Sequence, residues 1–166
     1  MDAAVSLLLF CQALGAVGGA FAAVWGELAY VRAARDGRID DAERTHLRII
    51  ANGLRFGMTL VLLSSFGLVV IAYVVRAATQ PALSASYWTL IALALLVTGV
   101  SWALSRRRIS FTLGSAAVFT AWWFLAYLTL GWLPPLSFGA AVAFLVVATA
   151  MFYAVLAYGR QLALRK

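Results

Sequence analysis

Charge is nearly missing where chemistry would need it. From Ile109 to Tyr158 there is no Asp, Glu, His, Lys or Arg, and the stretch between Tyr87 and Ser105 is equally empty. Proton paths and ion-coupled sites use several such groups near a bilayer midplane, so these stretches argue against one. A single cysteine, Cys11, excludes a disulfide within the chain and leaves no CxxC spacing. The sole histidine, His46, excludes a haem held by two histidines of one chain. With Cys11 expected at the opposite membrane face, the two do not make a metal site. No nucleophile with a neighbouring base, no paired carboxylates and no phosphate-cradling loop stands out. We therefore expect no catalytic residues, no metal and no cofactor. No basic segment precedes the first apolar run, which carries Asp2 instead and exceeds the roughly 7–15 residues of a signal-peptide core. That run is expected to remain as a helix.

What the chain has in abundance is apolar length. It is 64% hydrophobic and 11% charged, far below the roughly 25% charged residues of a soluble domain. About 20 apolar residues cross the roughly 30 Å of hydrocarbon in a bilayer, and five such runs occupy 166 residues. They are expected at about 3–30, 49–75, 87–104, 109–130 and 136–158. Backbone groups in hydrocarbon must pair internally, and runs of this length without alternation do so as helices. The expectation is an all-α, five-helix membrane bundle forming a single integral membrane domain over 1–166.

The basic residues are distributed asymmetrically. Arg32, Arg35, Arg38, Arg44, Arg48 and Arg55 surround the first connection, Arg106, Arg107 and Arg108 fill the third, and Arg160, Arg165 and Lys166 end the chain. The second connection has only Arg76. Loops rich in Lys and Arg stay cytoplasmic, which predicts the N-terminus outside and the C-terminus inside. On this reading the net charge of +7 faces anionic headgroups, not nucleic acid. Arg106, Arg107 and Arg108 are candidates for anionic-lipid contact.

Local signals refine the picture. Asp36-Gly37 marks a turn, and Asp40 followed by Glu43 fits a capping box that would start a cytoplasmic helical extension over about 40–48. Trp25, Tyr30, Trp102 and Tyr158 fall toward the predicted inner interface, and Tyr73, Tyr87, Trp88 and Trp132 toward the outer one. Pro134-Pro135 is expected to break the fourth helix and start the fifth. Gly15 and Gly19, extended by Ala23, form one close-packing stripe, and Gly53 with Gly57 forms another. Either internal helix packing or a homodimer seam through the first helix would use them.

Glu27 is the one acidic side chain inside an apolar run. Counted from about Ala3 at about 1.5 Å per residue, it lies about 36 Å along the helix, at the inner interface. Arg55 is its expected partner across the first hairpin, as a structural ion pair or as part of an inner-mouth gate. Gln12 is the most demanding of the deep polar residues, because an amide has four hydrogen-bonding sites to satisfy. It is read as an interhelical bond or a ligand contact. Trp122 and Trp123, with Tyr127, Phe119 and Phe124 around them, are candidates for an apolar pocket that opens outward with Trp88, Trp132 and Tyr73. Flat apolar molecules such as lipids or quinones suit such walls.

The segment Gly18-Gly19-Ala20-Phe21, followed by Tyr30-Val31-Arg32-Ala33-Ala34-Arg35-Asp36-Gly37-Arg38-Ile39, resembles small uncharacterised prokaryotic multi-pass membrane proteins. These pair a glycine-rich first helix with an Arg-Asp-Gly-Arg type loop. The resemblance covers roughly the first 75 residues. It implies a multi-pass protein of a prokaryotic inner membrane and no particular activity. A histidine often carried in the first helix of such proteins is absent here, so no haem or metal role is carried over. The expected role is binding or accessory, for a lipid-like ligand or a membrane partner, with a homo-oligomer or larger complex open. A transporter or channel component, and a quinone- or haem-associated redox subunit, are the alternatives.

Overall fold

The computed structural model describes residues 2–33, 40–106, 108–134 and 136–164. Among the described residues there are five α-helices: α1 (Asp2–Ala33), α2 (Asp41–Val74), α3 (Ala85–Ser105), α4 (Phe111–Thr129) and α5 (Phe138–Leu164). One turn of 3-10 helix, Pro81–Leu83, precedes α3. No strand occurs among the described residues, and all five helices are long and apolar enough to cross a membrane. The Asp36-Gly37 turn, Arg107 and Pro135 lie outside the described residues.

The helix ends follow from local chemistry. Asp40 caps α2: its carboxylate accepts from the Glu43 N–H at 2.7 Å, and the Glu43 carboxylate accepts from the Asp40 N–H at 3.1 Å. Two otherwise unpaired donors are thereby satisfied reciprocally. Ser84 and Ser110 accept from the N–H groups of Tyr87 and Leu113 and start α3 and α4. Ser137 accepts from the Ala140 N–H at the start of α5. The fourth helix is not ended by proline. Gly131, at φ 69°, takes the left-handed conformation that closes a helix C-terminus, with Trp132 N–H donating to Tyr127 and Gly131 N–H to Leu128. The chain has left α4 before it reaches Pro134.

α4 is the hub, packing on α1, α3 and α5, while α1 and α2 form a tight antiparallel hairpin. Glycine permits the close approach of that hairpin. A Cβ at Gly15 would lie 2.7 Å from the Gly57 carbonyl oxygen, and one at Gly57 would lie 2.8 Å from the Gly15 oxygen. A Cβ at Gly19 would collide with the Trp122 ring, whereas Gly18 and Gly53 face open space. The Gly15–Gly19 stripe is thus used for packing inside the bundle. The second GxxxG works only through Gly57. α5 is peripheral: most of its apolar surface faces outward.

Candidate functional site

Two adjacent residues on a helix point about 100° apart, and α4 uses this to build two environments. Trp122 turns into the bundle, fully buried against α1 and α2. Trp123 turns toward the α5 side, with Phe119 and Tyr127 one turn away in either direction at ring-centroid distances of 6.4 and 6.2 Å. α5 supplies the facing wall: Phe152 lies 5.0 Å from Phe119, and Phe144 lies 5.1 Å from Phe124. Together these rings line a cleft of about 370 Å³ between α4 and α5. Its one buried hydroxyl, on Thr120, donates to the Ala116 carbonyl at 2.8 Å. Near one end, Trp132 packs on Tyr127 at 5.6 Å.

This placement corrects part of the aromatic expectation. Trp123 and Tyr127 line the cleft, but Trp122, Trp88 and Tyr73 do not. Trp122 is a packing residue set against glycine. Trp88 donates to the Ala82 carbonyl at 2.8 Å, and Tyr73 is exposed. The α5 rings at Phe144 and Phe152 were not anticipated, although their spacing of eight places them on one helix face.

A second cluster gathers at the arginine-rich end of the bundle. The Arg160 Nη2 donates to Glu27 at 2.6 Å and to the Ser115 hydroxyl at 2.7 Å. The Arg160 and Glu27 side chains are only 11% and 12% exposed. The guanidinium lies 5.1 Å from the Phe111 ring centroid and 5.5 Å from that of Tyr30, and those rings pack at 4.1 Å. Three helices thus converge on one charge.

Glu27 therefore does not pair with Arg55. Arg55 is exposed, with its nearest bond to Asn52 at 3.5 Å. The reason lies in helix geometry. Residues four apart drift by about 40° around a helix. Along the ridge Gly15, Gly19, Ala23, Glu27, the first faces α2 at Gly57 and the second faces α4 at Trp122. Two steps farther, the ridge has turned to the start of α4 and the end of α5. Depth along the bundle is compatible with Arg55, but the direction of the ridge is not.

The other singled-out residues have defined places. Gln12 donates from its amide to the Ser65 hydroxyl at 2.7 Å, and the Ser65 hydroxyl donates to the Val61 carbonyl at 2.6 Å. This is an interhelical bond within the α1–α2 hairpin. Trp25 donates to His46 Nε2 at 3.0 Å, tying α1 to the first turns of α2. Arg106 and Arg108 lie over the Trp102 ring at 5.8 and 4.9 Å. No group of three His, Cys, Asp or Glu side chains suited to a metal ion exists among the described residues.

No family model, curated protein or solved structure matches the chain. Its own geometry places it as a multi-pass helical membrane protein. Within that class, a ring-lined cleft and a buried ion pair are its most specialised features.

Proposed function

We propose that this is a non-enzymatic membrane protein that holds one apolar, lipid-like molecule in the aromatic cleft between α4 and α5. It acts alone or within a larger membrane assembly. One observation carries the reading: rings from two helices line a half-open cleft of about 370 Å³ whose buried hydroxyl is already spent on the backbone. Such walls favour a flat or chain-like apolar ligand over a polar one. The volume lies toward the small end of the roughly 300–1,000 Å³ typical of small-molecule sites, which suits a ring or a single chain. The Glu27 carboxylate is engaged by a stacked guanidinium, which supports a structural role over a permeation gate. The arginine asymmetry supports an orientation with Glu27 and Arg160 at the cytoplasmic face, and the resemblance of the first 75 residues supports a prokaryotic inner membrane.

The test is native mass spectrometry of protein released from mild detergent, with an absorbance spectrum of the same sample. A single bound apolar mass is expected in the native chain, and Ala148→Trp, which fills the cleft from α5, should remove it. Visible colour would redirect the reading to a redox subunit. A bare protein, or a mass that Ala148→Trp leaves in place, would sink it.

A further inference from the structure

α2 and α3 touch little, although both belong to the same bundle. Between them lies a second cleft of about 630 Å³, walled by Arg55 and Thr59 of α2 and by Ser101 and Trp102 of α3, with Trp122 of α4 also lining it. Two groups in this cleft bear on what it would hold. Trp122 is fully buried, yet its Nε1–H has no acceptor among the described residues. Buried N–H groups are almost always bonded, and leaving one unpaired is costly. The benzo edge of the indole, at Cε3, Cζ3 and Cη2, is pressed on α1 at Gly19. The pyrrole edge that carries Nε1 is consequently turned away from α1. Arg55 is exposed, and among the described residues its side chain bonds only Asn52, at a long 3.5 Å. Its Cβ tilts toward the N-terminus of α2, the end where Arg106 and Arg108 flank Trp102.

An exposed cation at the mouth and, among the described residues, an unpaired donor on the Trp122 ring farther in call for a ligand with a negative charge outside and a neutral acceptor behind it. A phospholipid has that order: phosphate first, ester carbonyls next, acyl chain last. We propose that the α2–α3 cleft is the site of one anionic phospholipid. Its phosphate sits on Arg55, with Arg106 and Arg108 flanking, and an ester carbonyl accepts the Trp122 Nε1–H. The acyl chain follows the apolar wall past Met58 and Leu62. This site is separate from the α4–α5 cleft and does not depend on how that one is used.

The experiment counts lipids retained by the full chain after extraction from vesicles of phosphatidylcholine doped with phosphatidylglycerol. The native chain should retain one phosphatidylglycerol, with at least a tenfold preference over phosphatidylcholine. Arg55→Gln should cut that preference about tenfold, and Ser101→Trp, which fills the cleft, should abolish it. Arg48→Gln removes the same charge at the same end but outside the cleft, and should leave retention unchanged. Ester-linked phosphatidylglycerol should be held about fivefold better than its ether-linked analogue, the factor expected of one net hydrogen bond. Trp122→Phe should erase that difference. Equal losses in Arg55→Gln and Arg48→Gln would mean a diffuse basic surface and overturn the site. Equal retention of ester and ether lipids would overturn the role of Trp122.

Discussion

A carboxylate and a guanidinium removed from water depend on each other. With Glu27 and Arg160 almost enclosed at 2.6 Å, deleting either charge leaves the other without compensation, which typically costs about 3–5 kcal/mol. Glu27→Gln should therefore destabilise the protein by about 3 kcal/mol in chemical unfolding from mild detergent. Arg160→Met should do similarly, and the double variant should fall short of the sum by at least about 1 kcal/mol. Glu27→Gln combined with Arg55→Gln should be additive, since those residues share no bond. Glycine sites offer a sharper contrast. Gly19→Ala forces a methyl group into the Trp122 ring and should cost about 1–3 kcal/mol. Gly18→Ala, with open space around it, should be neutral or stabilising by up to about 1 kcal/mol.

At the scale of the helix, ends were more legible than faces. Length and apolarity located all five spans, and the Asp40–Glu43 spacing located the start of α2. Ser84, Ser110 and Ser137 were equally readable caps, and overlooking them shifted the expected starts of three helices. Faces are harder because lipid is as apolar as the core: a membrane helix is apolar all round, so the periodicity that reveals a buried face in water is weak. Small residues were the surviving signal, which is why the Gly15–Gly19 contacts were foreseeable and the Glu27 partner was missed. The same scale yields a prediction at the end of α2. Arg76 occupies the left-handed position there, at φ 50°, with its N–H donating to Tyr73 and the Ala77 N–H donating to Ala72. This is the helix-closing motif that glycine serves in α4, here carried by a residue with a Cβ. Arg76→Gly should stabilise the protein by about 0.5–1 kcal/mol, a rise in melting temperature that Arg76→Ala should not reproduce.

For the molecule as a whole, attachment is uneven. α1, α2 and α4 share glycine-mediated contacts, while α5 rests mainly on α4, touches α3 lightly and is joined to α1 by the Glu27–Arg160 pair. Regions with few buried contacts open at lower free energy. Hydrogen exchange in micelles should find α5 at least tenfold less protected than α4, and Glu27→Gln should accelerate exchange in α5 with little change in α2. Uniform protection across the five helices would contradict this hierarchy. A loosely held α5 also forms one wall of the aromatic cleft, so ligand entry and helix stability are expected to respond together.

The Glu27–Arg160 pair joins residues 133 positions apart, and this has a consequence for biogenesis. Glu27 is made early and stays without its guanidinium until α5 has been synthesised. A nascent protein stalled before α5 carries a lone carboxylate where the finished one has a sealed pair. Burial of the Glu27 charge thus waits on the arrival of α5, which makes the ion pair a chemical mark by which a bundle with α5 in place differs from one without it.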